Sequence, residues 1–293
     1  MSSEQTPNDH VPPPEEQGSF FGVIIHSFFI IPFLIAVFCV LLFTAVKMLT
    51  SEKQSPYDLI EDVKVGGLTK RWQAAFELSK ILANPKLIPQ DARFKAELIN
   101  AFEHSVNDDE RVRQYLALAM GRSGDPEFFG PLTAHLGEEK ETNLYAIIYA
   151  LGMLRDKRAV PVLKEYINHP TARLRSAAVV SLGNIADPSA KEILKKALTD
   201  PEPNVQWGSA ISLAQMGDDS GKGILAQLLD RTYLAKFPEV DLQEQNHLIL
   251  AAIAATTNLK DPELLNILRK LATTDQNMKV RAAALELVNK IQK

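Results

Sequence analysis

Val112-Arg-Gln-Tyr-Leu-Ala-Leu-Ala-Met-Gly121 is the first of four stretches that repeat without a gap every 31 residues. Each stretch continues to an aspartate in the same column of the alignment. A fixed period of this length is typical of stacked helical hairpins, because one hairpin alone cannot bury its apolar face. The other three stretches and the four aspartates are Asn143-Leu-Tyr-Ala-Ile-Ile-Tyr-Ala-Leu-Gly152, Leu174-Arg-Ser-Ala-Ala-Val-Val-Ser-Leu-Gly183, Val205-Gln-Trp-Gly-Ser-Ala-Ile-Ser-Leu-Ala214, Asp125, Asp156, Asp187 and Asp218.

Weaker copies of the repeat flank this array at residues 70–79, 248–257 and 280–289. The sequence therefore predicts an all-α solenoid of about seven hairpins, each with a first helix A and a second helix B. Asp-Pro pairs precede several apolar segments, and Asp can cap a helix that Pro begins. These pairs and the apolar period predict A helices over residues 126–136, 160–167, 188–198, 221–229 and 262–271.

The B-helix pattern resembles the short bacterial HEAT repeat, also called the phycobilisome-lyase HEAT-like repeat. The best matching residues are Leu174-Arg175, Ala177-Ala178, Leu182-Gly183 and Asp187, and the resemblance covers about residues 56–293. It implies a right-handed α-solenoid that binds proteins as a scaffold. With the apolar segment that precedes the repeats, the combination of one N-terminal span and a HEAT domain is similar to that of bacterial inner-membrane proteins.

A single apolar segment precedes the repeats, because residues 20–46 carry no formal charge over 27 positions. The hydrocarbon core of a bilayer needs roughly 20 helical residues, so this segment is predicted to span a membrane. Lys and Arg first appear at Lys47, and the positive-inside rule therefore places the N-terminus outside and the repeats in the cytoplasm. The predicted regions are a disordered extracytoplasmic tail over 1–19, the transmembrane helix over 20–46, a juxtamembrane linker over 47–58 and the cytoplasmic solenoid over 59–293.

The composition argues against several classes of function. The chain has 32 basic and 36 acidic residues, and four of those acids precede residue 47, so the solenoid is formally neutral. Nucleic-acid binding needs a net basic surface, and it is therefore not expected. The sequence carries no phosphate-binding loop, nucleophile elbow or Cys/His metal spacing. None of its six histidines is followed by Glu, as the iron-binding dyads of HEAT-like hydroxylases require. No cofactor, no metal and no enzymatic activity are expected.

Two positions of each B helix point away from the core at 100° per residue, and they are predicted to form the concave surface of the solenoid. From the first repeat to the sixth these positions are largely apolar or aromatic, and such contiguous patches mark interaction sites. An alternative is that neighbouring helices bury these side chains. The predicted partner-binding residues, with two from an insertion near residues 230–241, are Trp72, Phe76, Leu118, Tyr145, Tyr149, Val180, Trp207, Ile211, Tyr233 and Phe237.

Two further features have two interpretations each. The insertions at 84–91 and 230–241 are either contact loops or tolerated surface loops. The arginine column, which follows the first core position of four B helices, is either an anion site or a structural element. Its members are Arg71, Arg113, Arg175 and Arg281.

The combined hypothesis is a membrane-anchored, non-enzymatic scaffold that binds a protein partner through its apolar concave face. The expected partners are cytoplasmic segments or helices of an integral membrane complex. One alternative is an accessory subunit of an ABC-type transporter that packs through its transmembrane helix. A second alternative is a HEAT-like lyase or accessory enzyme.

Overall fold

The computed structural model describes residues 26–50, 54–134 and 136–291, and these residues contain helices and turns but no strand. The chain divides into two compact units, which meet in sequence between Gln54 and Ser55. The predicted tail at 1–19, the beginning of the predicted span at 20–25 and linker residues 51–53 lie outside the described residues.

The first unit contains helix α1, Ile31–Thr50, which follows a π-helical turn at His26–Ile30. The segment Phe28–Val46, which begins in the π-helical turn and continues into α1, is 19 residues long, and none of it is buried. By length and composition this helix could cross a membrane. Pro32 is the second residue of α1 and directly follows the π-helical turn; it has no backbone N–H and therefore donates no hydrogen bond to that turn.

The second unit is the solenoid, and it consists of seven helical hairpins, which confirms the predicted fold. The A helices are α2 Pro56–Val65, α4 Ala92–His104, α6 Phe129–Thr133, α8 Ala159–Tyr166, α10 Lys191–Ala197, α12 Lys222–Leu228 and α15 Pro262–Thr274. The B helices are α3 Leu68–Ile81, α5 Glu110–Ser123, α7 Glu141–Leu154, α9 Ala172–Ile185, α11 Pro203–Gln215, α14 Leu242–Thr256 and α16 Met278–Ile291. One further short helix, α13 at Arg231–Leu234, lies in the second insertion.

The aspartate column caps the A helices, as the sequence predicts. Asp187 accepts a hydrogen bond from the backbone N–H of Ser189 at 2.9 Å. Because this bond spans only two residues, the chain enters a tight 3₁₀ turn before the α-helix begins. Three predicted A helices therefore divide into a 3₁₀ turn followed by a short α-helix. The turns are Pro126–Phe128, Pro188–Ala190 and Asp219–Gly221.

The arginine column is structural. Arg175 donates two hydrogen bonds of 2.8 Å to the carboxylate of Asp200 in the next repeat, and one of 2.9 Å to the carbonyl of His169. Arg113 is buried, pairs with Glu139 of the next repeat and donates to a carbonyl of its own A helix. Arg71, Arg113 and Arg175 thus each satisfy a carbonyl of their own repeat and a carboxylate of the next, whereas Arg281, in the last repeat, donates to the carbonyls of Asp275 and Gln276. These carboxylates occupy the place that an external anion would need.

Consecutive B helices pack in close contact where a glycine faces a small residue. A Cβ atom built on Gly152 would lie 2.6 Å from the Cα atom of Ser181 in the next B helix. The Ser181 hydroxyl donates to the carbonyl of Ile148 at 2.9 Å across the same contact. Glycine is therefore required by the close approach of the two backbones. The same contact recurs between Gly121 and Ala150 and between Gly183 and Ser212.

The four regular B helices end in a left-handed residue, in one column of the 31-residue alignment. Glycine supplies this conformation at Gly124 and Gly217, where φ is 67° and 70°. Arg155 and Ala186 adopt it with φ of 55° and 56° although both carry a Cβ atom. The left-handed conformation costs such residues about 1–2 kcal/mol, so two of the four helix ends carry local strain.

We predict that Gly152→Ala destabilises the solenoid, because its methyl group would lie 2.6 Å from the Cα, Cβ and Oγ atoms of Ser181, and the Cα and Cβ atoms cannot move without the backbone of the next helix. Overpacking of this kind costs about 1–3 kcal/mol. The matched control is Gly223→Ala in α12, where a Cβ atom would have no neighbour within 4 Å. Thermal unfolding followed by circular dichroism should show a lower Tm for the first variant only. An unchanged Tm for Gly152→Ala would contradict the close-contact interpretation.

We also predict opposite effects for two exchanges in the left-handed column. Ala186→Gly should stabilise the protein by up to about 1 kcal/mol, because removal of the Cβ penalty outweighs the opposing effect of the chain entropy that glycine adds to the unfolded state. Gly217→Ala should destabilise it by about 1 kcal/mol, since only the backbone conformation opposes the new methyl group there. The same unfolding measurement tests both. Equal signs for the two exchanges would contradict the prediction.

Candidate protein-binding groove

Four consecutive B helices, α7, α9, α11 and α14, line a groove of about 840 Å³. Its floor is apolar and its two rims are polar. Such a surface suits a ligand that has one apolar face, because polar groups at the rims stay hydrated or paired. The residues that line the groove include Tyr145, Tyr149, Arg173, Val180, Asn184, Glu202, Trp207, Ile211, Gln215 and Glu244.

Half of the predicted partner-binding residues converge on this groove. Tyr145, Tyr149, Val180 and Ile211 are half-buried and line it together with one edge of Trp207. They come from the two outward positions of each B helix, so the helix phase assigned from the sequence agrees with their placement. The other five lie elsewhere, with Trp72 and Phe76 on α3, Leu118 on α5, and Tyr233 and Phe237 in the second insertion.

Trp207 differs from the expected exposed anchor, because only 1 % of its surface is accessible. Its indole N–H donates to the hydroxyl of Tyr233 at 3.2 Å. The ring of Phe237 meets the indole edge-on with a centroid separation of 4.9 Å. The second insertion is therefore an internal cover for Trp207. The bulky indole is core material at this point of the solenoid, and the sequence alternative of burial by neighbouring segments applies here.

Arginines stack on two of the predicted aromatic rings. The guanidinium of Arg173 lies 4.1 Å from the ring centroid of Tyr145, and that of Arg111 lies 4.4 Å from the ring centroid of Trp72. Both arginines directly precede the first core position of the next B helix. This column was not singled out from the sequence, although its position relative to the repeat could have revealed it. Each stack orients an aromatic ring and adds a positive charge beside it.

The hydroxyl of Tyr149 stays protonated under ordinary conditions. Burial of the ring, followed by the effect of nearby Tyr145, raises the pKa of the Tyr149 phenol above its usual range. The two tyrosine rings lie 5.9 Å apart between centroids. They form an apolar surface with two hydrogen-bonding hydroxyl groups at one end of the groove.

A second, smaller aromatic patch lies on α3 and α5, outside the groove. Phe76 is 36 % exposed, and its ring meets that of Tyr115 edge-on at 5.1 Å. Leu118 and Trp72 are half-buried on the same two helices. The predicted stripe is thus divided into two parts, of which the groove is the larger.

In the described part of the chain, no group of three or more His, Cys, Asp or Glu side chains could hold a metal ion. The groove itself contains Arg173, Glu202 and Glu244 as its rim charges, together with His247.

The comparisons with known proteins agree with this architecture. A family model described as HEAT repeats matches residues 96–183 and 164–235. No curated protein matches the sequence. The fold is similar to that of the complex of CpcE and CpcF of phycocyanin lyase from Nostoc sp. PCC7120, with a TM-score of 0.56, 20% identity, and coverage of 83% of this chain and 96% of that chain.

A structure of human deoxyhypusine hydroxylase in complex with glycerol is also similar in part, with 17% identity and coverage of 80% of this chain and 96% of that chain. Its TM-score of 0.35 is too low to support an inference. At 20% identity, the likeness to the lyase complex shows the fold alone. The helical hairpins between residues 96 and 235 are HEAT repeats, within an all-α solenoid that follows an apolar helix near the N-terminus.

Proposed function

We propose that this chain is a membrane-anchored, non-enzymatic adaptor that binds a protein partner through the groove on α7, α9, α11 and α14. The observation that carries the proposal is the apolar floor of Tyr149, Val180 and Ile211 in a groove of about 840 Å³. These apolar side chains are only half-buried, and their remaining contact with water is unfavourable. Covering them with a partner's apolar face would release that water, which is the main driving force of protein association.

The membrane part of the proposal is a single pass through a bacterial inner membrane, with the N-terminus outside and the solenoid in the cytoplasm. The proposed regions are the extracytoplasmic tail at 1–19, the span at 20–46, the linker at 47–58 and the solenoid at 59–293. The absence of Lys and Arg before Lys47 supports this orientation. An anchored adaptor would meet membrane partners at a raised effective concentration. The proposed partners are therefore cytoplasmic segments of an integral membrane complex.

Two alternatives remain distinct from the groove proposal. An accessory subunit of an ABC-type transporter would be held through its transmembrane helix, and the apolar exposed surface of Phe28–Val46 is compatible with helix packing. A lyase or an accessory enzyme is suggested by the fold shared with the phycocyanin lyase complex. A chromophore absorbance band in the purified protein would favour that second alternative over the adaptor.

We predict that the double variant Tyr149→Glu/Ile211→Glu loses the partner. The charges would lie on the groove floor, where a partner's apolar face cannot solvate them. The full-length tagged protein is purified from native membranes in mild detergent, and stoichiometric co-purifying proteins are compared with those of the unaltered chain. Trp207 is left intact, because its burial means that a charge there would disrupt the core.

The matched control is Val162→Glu/Ile193→Glu. Both side chains are half-buried apolar residues on the A helices α8 and α10, outside the groove. We expect this control to keep the partner although its thermal stability falls by about as much as that of the groove variant. If the groove variant retained the partner, the binding site would lie in the transmembrane helix or in the second insertion instead of the groove. A partner lost equally from both variants would indicate general unfolding.

The orientation gives a separate prediction, tested by cysteine labelling. The only native cysteine, Cys39, is first replaced by Ala. Ser3→Cys should then react with a membrane-impermeant maleimide on intact spheroplasts, because the tail is placed outside. Gln276→Cys, at an exposed site of the solenoid, should react only after lysis. The reverse labelling pattern would overturn the proposed topology without affecting the groove.

A further inference from the structure

Three charged side chains stand on one rim of the groove, on three consecutive repeats. Arg173 lies in the first turn of α9, Glu202 directly precedes α11, and Glu244 lies in the first turn of α14. All three are exposed, and none forms an ion pair within the part of the chain that the structure describes. The Glu202 side chain also makes no capping bond to its helix. These charges are therefore available to a ligand.

The charge on the groove is one-sided and ordered. The opposite rim carries the neutral amides of Asn184 and Gln215. Along the charged rim the order is positive, negative, negative from repeat four to repeat six. Arg173 shares its column with Arg111, whereas the column of Glu202 carries Thr171 and Lys140 in the two preceding repeats, so the order of charges belongs to this chain rather than to the repeat pattern.

The spacing of the rim matches one kind of ligand. Packed neighbouring helices lie about 8–10 Å apart. The three rim charges stand at the N-terminal ends of successive B helices and within about one turn of each other along the helix axis, so this distance sets the approximate step from one charge to the next. On an α-helix, side chains return to the same face after about seven residues, a rise of roughly 10 Å. A helix laid across the B helices would therefore present one residue to each rim charge at steps of about seven residues.

We propose that the groove binds an amphipathic helix with an acidic residue opposite Arg173 and basic residues opposite Glu202 and Glu244, at steps of about seven residues. Its apolar face covers Tyr149 and Ile211. This inference rests on the proposed adaptor function and names the chemistry of the partner. An anionic lipid surface does not fit this rim, because two of its three charges are negative.

The rim charges determine the register and the direction in which the helix binds. Exposed ion pairs add little affinity, whereas like charges brought together are repelled. The apolar floor supplies most of the binding, and a helix with the wrong charge order is rejected at the rim. Salt should weaken this selection, because ions screen exposed charges beyond a distance of about 10 Å at 0.1 M.

The test uses the full-length protein in detergent and two fluorescent amphipathic peptides of identical composition. Both carry the same apolar face, with Gln at the remaining polar positions. The ordered peptide carries Glu, Lys and Lys at seven-residue steps, and the scrambled peptide carries Lys, Glu and Lys. The scrambled order mismatches the rim in either chain direction. We expect fluorescence anisotropy to show at least tenfold tighter binding of the ordered peptide at low salt, with a smaller difference at high salt.

The decisive variant is Arg173→Glu/Glu202→Lys, which keeps the net charge and makes the rim complementary to the scrambled peptide. We expect the preference to reverse in this variant, with its helical content unchanged by circular dichroism. Equal binding of both peptides, abolished by Tyr149→Glu/Ile211→Glu, would overturn the charge-order inference and leave the groove function standing. Binding of the ordered peptide that survives Tyr149→Glu/Ile211→Glu would contradict both proposals.

Discussion

The close contact between consecutive B helices is the constraint on which the rest of the solenoid depends. Gly152 lets the backbone of the next helix approach so closely that a Cβ atom would lie 2.6 Å from the Cα atom of Ser181. The Ser181 hydroxyl then donates a hydrogen bond to the carbonyl of Ile148 across the contact. With this face in direct contact, the side chains that point away from it are brought into one row. The groove floor of Tyr149, Val180 and Ile211 is a consequence of that row.

Polar groups at the loops keep neighbouring repeats in register. Arg175 bridges the loop of its own repeat and Asp200 of the next, so that a slip of one hairpin would leave a half-buried charge unpaired. The aspartate caps set where each A helix begins. These interactions recur with the repeat and therefore stabilise the solenoid as a whole. They do not involve the groove residues, which are left available for binding.

The second insertion shows how a departure from the repeat changes the surface. Tyr233 and Phe237 pack on Trp207 and convert a residue of the outward row into core. Trp207 borders the groove but is only 1 % exposed, so the accessible apolar floor consists of Tyr149, Val180 and Ile211. The proposed binding chemistry thus uses residues of the groove such as Ile211 and Glu202, whereas stability resides in the residues that recur.

The sequence by itself determined the helical solenoid, the phase of the B helices and the aspartate caps, because these follow from periodic local interactions within about 31 residues. It also placed Tyr145, Tyr149, Val180 and Ile211 on one face. Only the tertiary structure showed that arginines of the column pair with carboxylates of the next repeat. It alone showed that Trp207 is covered and that Arg173 stacks on Tyr145. These outcomes depend on contacts between residues 25 or more positions apart, whose partners no periodic pattern names.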